Sequence, residues 1–241
     1  MTKGYLNTTV KNVVLLSGSD IQGKHMFTDK IISTHKKQGQ KMDKVAYIRS
    51  EDEFEGEVFS DLDLQELSLD DKAFYSCQFR NCTMGHCHFN RCRFEDCQFD
   101  TTDLTLVKLN QTAFQDVEFK NCKLMGIDWR DARQILFQVA FFECTISYGS
   151  FVGMPLQETH FIDCTAEEVN FTDALLNKAR FSGTRLSGSY FEGADLRQAD
   201  LSTATDYIID PQKTKLQKTK FSLQGLLQTA KLQGIVVPEF G

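Results

Sequence analysis

The 241-residue sequence contains no hydrophobic run long enough to form a membrane-spanning helix. Such a helix needs about 20 consecutive apolar residues. The N-terminal run Val13-Val14-Leu15-Leu16 is too short and too weakly apolar even for a signal peptide. We therefore expect a cytoplasmic protein that does not bind membranes.

The sequence also lacks the motifs with which many enzymes bind phosphates or metals. It has no glycine-rich phosphate loop, and none of its cysteines lie two to four residues apart, as a structural zinc site requires. Isolated carboxylates such as Asp63, Asp103 and Asp195 share one position of a repeat, where they more often support turns than catalysis. These absences predict a protein that is not an enzyme and that holds no cofactor and no metal.

What the sequence does contain is a period of five. Sixteen positions spaced five residues apart from Phe54 to Trp129 are all large and apolar, and a second series runs from Leu136 to Leu201 in a shifted phase. A period of five matches neither an α-helix nor a plain strand. It matches a chain that turns a corner at every repeat, so that four short sides close a square coil. The pattern predicts an all-β, right-handed quadrilateral β-helix of about 7–8 coils.

In a four-sided coil, residues twenty apart stack on one another. Like residues do recur at that spacing, which supports four repeats per coil. The predicted core ladder consists of phenylalanines from both series: Phe59, Phe79, Phe99, Phe119, Phe151, Phe171 and Phe191.

Two segments carry a resemblance to a known family. Ala194-Asp195-Leu196-Arg197-Gln198 and Ala199-Asp200-Leu201-Ser202-Thr203 are close to the pattern A(D/N)LXX, and residues 51–206 as a whole resemble the pentapeptide-repeat family. The resemblance implies that the central Leu or Phe points inward. The family includes gyrase-binding proteins, among them the quinolone-resistance (Qnr) proteins and immunity proteins of some gyrase-poisoning toxins. Their mode is a dimeric rod that presents an acidic, duplex-like surface to a type II topoisomerase.

The eight cysteines all lie two residues before the central apolar residue of the repeat, which is large in every case except Ala166. In the family fold this position points inward and requires a small side chain, so we expect buried free thiols that share the position with Thr102, Val107, Ala174 and Ala179. His86 and His88 flank Cys87 but occupy outward positions, and so cannot share a metal with it. The cysteines are Cys77, Cys82, Cys87, Cys92, Cys97, Cys122, Cys144 and Cys164.

Charge is distributed unevenly along the chain. Residues 1–50 contain nine Lys or Arg and three Asp or Glu, which leaves 18 and 30 for the rest, a net charge of −12 (27−9 and 33−3). An acidic rod should repel nucleic acid and attract a DNA-binding groove. The predicted partner face consists of outward aspartates: Asp61, Asp63, Asp103, Asp195 and Asp200.

Two functional hypotheses follow. In the first, the protein is a non-enzymatic rod that mimics DNA, binds DNA gyrase or topoisomerase IV, and modulates the action of quinolones or toxins. In the second, it is a general interaction scaffold with a different partner.

Four regions are predicted along the chain. Residues 1–41 form a flexible basic extension, and residues 42–50 form an N-terminal cap that contains a short strand at Val45-Ala46-Tyr47-Ile48. The repeats occupy residues 51–210, with a register break at 130–140, where seven residues replace five between Trp129 and Leu136. Residues 211–241 form a C-terminal helix and tail.

The C-terminal helix is predicted over Leu223 to Leu232, with Ser222 as its N-cap and Gly234 as its stop. Its apolar face is predicted to cap the last coil and to form a homodimer interface. That face consists of Leu223, Leu226, Leu227 and Ala230.

Overall fold

The computed structural model describes residues 43–236. The extension predicted for residues 1–41 and the end of the C-terminal tail lie outside the described residues. Among residues 43–236, no helix is long and apolar enough to cross a membrane.

The described chain is a right-handed quadrilateral β-helix of about eight coils, as the five-residue period predicts. Its strands pair in parallel with the same segment one coil away, and two of the four faces carry most of them. Face 1 contains the strands Glu53–Glu55, Ala73–Tyr75, Arg93–Glu95 and Ala113–Gln115. Face 2 contains Val58–Ser60, Gln78–Arg80, Gln98–Asp100, Val117–Lys120, Val139–Phe142, His160–Ile162, Asp200–Leu201 and Lys220–Phe221.

The other two faces are held by isolated bridges between successive coils. Face 3 follows the ladder that begins Asp63, Thr83, Asp103, and face 4 the ladder that begins Ser68, His88, Lys108. The corner residues commonly have left-handed backbone conformations, as at Asp61 with a φ of 56°. Hydrogen bonds between coils hold these corners; for example, the Asp61 amide donates to the Arg80 carbonyl oxygen at 3.0 Å.

The repeat positions form the core. All sixteen residues of the first series are buried, and the predicted phenylalanine ladder is two columns on different faces. On face 2 the rings of Phe79 and Phe99 stack with centroids 4.6 Å apart, and those of Phe99 and Phe119 at 5.0 Å. The Phe151 column lies on face 4, where Phe151 stacks on Trp129 at 5.3 Å.

The prediction of buried free thiols is confirmed for all eight cysteines. Seven of the eight thiols donate to backbone carbonyls of the preceding coil, as Cys92 does to Leu69 at 2.8 Å. Burial raises the pKa of Cys92 to about 12 and that of Cys164 to about 12. Both thiols therefore stay protonated and unreactive at neutral pH.

The N-terminal cap is a helix, α1 (Lys44–Ser50), and the predicted strand at Val45-Ala46-Tyr47-Ile48 is wrong. The Asp43 side chain caps this helix by accepting a hydrogen bond from the Val45 amide at 3.0 Å. Helical spacing places Val45, Tyr47 and Ile48 against the first coil, where Ile48 is fully buried. The buried Lys72 ammonium donates to the Glu51 carbonyl oxygen at 2.6 Å, which satisfies a backbone group beyond the helix end.

The C-terminal helix, α2, spans Leu223–Leu232, and Ser222 is its N-cap, both as predicted. The Ser222 hydroxyl accepts from the Gly225 amide at 3.2 Å. The helix meets the solenoid through Gly225 and Thr229, which are its buried residues. The prediction that its apolar face caps the last coil is therefore wrong: Leu223 and Leu226 are exposed, and Leu227 and Ala230 are half-buried.

Candidate functional site

The most strongly charged surface lies on the first coil. Between Glu51 and Asp71 the chain has ten carboxylates and no Lys, Arg or His. Residues 43–71 contain eleven acidic and two basic residues, whereas residues 72–236 contain nineteen and eighteen. Nearly all the net charge of the described rod is therefore on its first coil. The ten are Glu51, Asp52, Glu53, Glu55, Glu57, Asp61, Asp63, Glu66, Asp70 and Asp71.

Few of these carboxylates are neutralised. Lys44 pairs with Glu57 at 2.8 Å, Lys72 with Asp52 at 3.7 Å and Arg91 with Asp71 at 2.6 Å. The hydrogen bond from Arg91 lowers the pKa of Asp71. The other seven make no ion pair with any described residue, so the coil keeps a strong negative field.

The five predicted partner aspartates are not on one face. Asp63 and Asp103 belong to the same ladder on face 3, and Asp61 lies at the corner beside them. Asp195 belongs to the ladder of Pro155, Leu175 and Lys215 on face 1, and Asp200 to that of Arg180 on face 2. The structure therefore groups three of the predicted residues and separates the other two.

Asp195 and Asp200 also form hydrogen bonds and ion pairs with nearby residues. Asp195 accepts from the Arg197 guanidinium at 2.6 and 2.8 Å, which lowers its pKa. Asp200 accepts from the Ser202 hydroxyl at 2.6 Å and from Lys220 at 2.9 Å, and these bonds lower its pKa to about 2. Each also accepts from the backbone amide two residues on, which is the turn-supporting role expected for this position.

The register break is a bulge of three exposed residues, Gln134 to Leu136. Phe141 pairs with Phe119, twenty-two residues apart, where the preceding pair Phe99 and Phe119 is twenty apart. The predicted inward position of Leu136 is wrong, since Leu136 is 70% exposed and Phe137 is buried instead. The sequence could not decide between these neighbours, because both are large and apolar.

The described residues offer no evident metal site. Among residues 43–236, no group of three or more His, Cys, Asp or Glu side chains is placed to hold a metal ion. His86 and His88 are exposed, while the Cys87 thiol beside them is buried.

A square coil of parallel five-residue repeats, with inward aromatics and outward polar side chains, defines the class of protein. A family model for the pentapeptide repeat region matches residues 72–134 and 134–205, more than half of the chain. The chain belongs to the pentapeptide-repeat family.

Solved structures resemble the fold at low sequence identity. One trypsin-treated form of QnrB1, a plasmid-mediated fluoroquinolone resistance protein, is 20% identical over 78% of this chain and 92% of its own, with a TM-score of 0.56. A second trypsin-treated form is 19% identical over 77% and 97%, with a TM-score of 0.58. No curated protein matches the chain by sequence. At this identity the likeness concerns the fold.

Proposed function

We propose that this pentapeptide-repeat protein is a non-enzymatic rod that binds a type II topoisomerase, DNA gyrase or topoisomerase IV. It would act in the cytoplasm, contact the enzyme rather than nucleic acid, and modulate the effect of quinolones or toxins. The observation that carries this proposal is the first coil, with ten carboxylates and no intervening cation.

The charge of this coil is what a DNA-binding groove attracts. Duplex DNA carries one negative charge per about 1.7 Å, and the proteins that bind it neutralise that charge with Lys and Arg. A coil with seven carboxylates free of ion pairs among the described residues offers the same kind of field on a rigid support. QnrB1, which has a similar fold, is a fluoroquinolone resistance protein, and this supports the choice of partner.

A general scaffold with another partner is the second candidate. It is favoured by one observation: residues 72–236, with nineteen acidic and eighteen basic residues, are almost neutral. A partner that reads a long duplex would meet negative charge at only one end of this rod. The mimicry we propose is therefore confined to the first coil, since Asp103, two coils farther along face 3, is paired with Lys123 at 3.8 Å.

We also propose that the rod is a homodimer through its C-terminal region. Leu223, Leu226 and Leu232 of α2 are exposed, as are Ile235 and Val236 beyond it. Leu223 and Leu226, three residues apart on one side of the helix, form an apolar surface of a kind that monomers rarely leave uncovered. Light scattering should report a dimer, and Leu223→Ser with Leu226→Ser should give a folded monomer. A wild-type protein that stays monomeric at high concentration would rule this interface out.

The test of the topoisomerase proposal is a supercoiling assay with purified gyrase, with and without a fluoroquinolone, over a range of protein concentrations. We expect inhibition or drug protection that weakens as salt is raised, because charge steering is screened over about 8 Å at physiological ionic strength. A protein that neither alters gyrase activity nor binds either gyrase subunit would leave the scaffold hypothesis.

Two matched variants locate the surface. One neutralises five carboxylates of the first coil: Glu53→Gln, Glu55→Gln, Asp61→Asn, Asp63→Asn and Glu66→Gln. The other makes the same change in net charge away from that surface: Asp100→Asn, Asp131→Asn, Glu143→Gln, Glu168→Gln and Asp206→Asn. We expect the first to lose the effect on gyrase and the second to keep most of it. Equal losses would mean that net charge, and not this coil, attracts the enzyme.

A further inference from the structure

The bulge places two large aliphatic side chains in solvent. Ile135 is 84% exposed and Leu136 is 70% exposed. The indole N–H of Trp129, which is buried beside the break, has no hydrogen-bond partner among the described residues. Exposed apolar groups that form a patch commonly mark an interaction site.

A groove opens directly beside Leu136. It has a volume of about 500 Å³, and its apolar surface comes from the half-buried Ala140 beside the exposed Leu136, while the side chains of Val117, Phe137 and Val139, which also border it, are buried in the core. Ala140 pairs with Glu118 on one neighbouring coil and with His160 on the other. Because the alanine is smaller than either neighbour, the surface of face 2 is recessed between them.

Three of the seven polar residues that line the groove are acidic, namely Asp116, Glu118 and Glu158. Glu118 pairs with Lys120 at 3.1 Å and Glu158 with Lys178 at 2.7 Å, whereas Asp116 makes no ion pair with any described residue. The surrounding sequence extends this character: residues 134–177 contain six carboxylates and no Lys or Arg. An apolar recess with an acidic rim is complementary to an apolar side chain flanked by cations.

We propose that this groove binds an extended protein segment in which one apolar side chain is flanked by Lys or Arg. The apolar side chain would lie on Ala140 and contact Leu136, and a flanking cation would pair with Asp116. The groove crosses three neighbouring coils, a length of roughly 10 Å for strands about 4.8 Å apart. Side chains on one side of an extended segment are about 7 Å apart, so the groove holds one anchor residue and its neighbours.

This surface is separate from the first coil and does not require that gyrase be the partner. Its test uses a display library of random twelve-residue peptides selected on the full-length protein. Enriched peptides are then made with a fluorescent label and titrated by anisotropy. We expect the enriched sequences to share an apolar residue next to Lys or Arg.

Three variants decide whether binding occurs in the groove. Ala140→Phe fills the recess without removing the exposed apolar residues, and Ile135→Ser with Leu136→Ser removes them without filling the recess. Both should weaken binding about tenfold or more, as loss of an anchor contact does. The control Leu106→Ser, which removes an exposed leucine from face 3, should leave affinity unchanged. Circular dichroism shows whether each variant is folded.

Three results would overturn the proposal. The library could yield no sequence enriched above the bare support, or the enriched peptides could lack Lys and Arg. Alternatively, the peptides could bind Ala140→Phe as tightly as the wild type, which would place their site elsewhere.

Discussion

The two ends of the solenoid are closed in different ways. At the N-terminal end, α1 buries Ile48 and packs Val45 and Tyr47 against the first coil. At the other end, α2 approaches through Gly225 and Thr229 and leaves Leu223 in solvent. Each end coil must cover apolar side chains and unpaired backbone groups. The apolar side chains at the first end are covered by α1 of the same chain, whereas the second end retains an apolar surface. We therefore propose the dimer interface at the second end.

The ends also differ in charge. The first coil has ten carboxylates and no cation between Glu51 and Asp71, whereas residues 211–236 contain five lysines and no Asp or Glu. A basic partner would be drawn to the first end and repelled from the second. The contrast is the reason that we propose topoisomerase binding at the N-terminal end and self-association at the C-terminal end.

The largest loss of stability is expected in the core between the two ends, and the effects at the ends are compared with it. Phe99 is buried, with Phe79 and Phe119 stacked on its two sides. Phe99→Ala should therefore lower the free energy of unfolding by about 3 to 5 kcal/mol, since rings fixed on both sides cannot close the gap. Denaturant melts measure this. A loss below about 1 kcal/mol would contradict the stacked register.

The next effect separates the two caps. Ile48→Ala should lower the free energy of unfolding by about 2 to 4 kcal/mol. A fully buried side chain is lost, and the coil beneath it cannot move to fill the cavity. The matched change in α2, Leu223→Ala, should stay within about 0.5 kcal/mol for the monomer, because Leu223 is 74% exposed. Equal effects of the two substitutions in denaturant melts would mean that the caps do not differ as the structure describes.

A smaller effect tests how α2 is attached. A Cβ atom added at Gly225 would lie 2.0 Å from the Tyr207 ring, which is buried. Gly225→Ala should loosen the helix at a cost of about 1 to 3 kcal/mol. Hydrogen exchange of the α2 amides should report the change while α1 is unaffected.

Thr229→Val is the control for that experiment. The Thr229 hydroxyl is buried and has no hydrogen-bond partner among the described residues. Replacing it with a methyl group should therefore be neutral or slightly stabilising. Slower exchange in Gly225→Ala than in Thr229→Val would show that α2 does not dock through this pair.

The sequence predicts much of the repeat and little of its ends. A period of five places Phe99 and Cys92 inside the coil because each inward position accepts only a large or only a small apolar residue. The N-cap and length of α2 also follow from local signals at Ser222 and Gly234. These features depend on neighbours that are close in sequence or one coil away, and both kinds of neighbour can be identified from one sequence.

The ends and the bulge depend on choices that a period does not encode. Val45-Ala46-Tyr47-Ile48 suits a strand by its residue types, yet Asp43 and Lys72 stabilise a helix there. Leu136 and Phe137 are both large and apolar, and packing selects Phe137, whose ring centroid lies 6.2 Å from that of Phe114 and 6.1 Å from that of Trp129. Asp63 and Asp195 lie on different faces, which becomes apparent only when the two inserted residues are included in assigning later residues to faces.

The smallest effect is a pH dependence that distinguishes the ends. Hydrogen bonds from Ser202 and Lys220 hold the pKa of Asp200 at about 2, below the ordinary value of an aspartate. A carboxyl whose pKa is lower in the folded state adds stability above its unfolded pKa and loses it as pH falls through the folded value. The contact between Asp200 and Lys220 joins neighbouring coils at the C-terminal end, so that end should loosen between about pH 4 and pH 2.

Hydrogen exchange at a series of pH values compares the Lys220 and Phe221 amides with those of α1. Asp200→Asn should abolish the acid-dependent loss at the C-terminal end, with a cost near neutral pH below about 1 kcal/mol for this partly exposed pair. If the variant and the wild type lose protection equally as pH falls, the loss arises from another group and the two ends do not differ in this way.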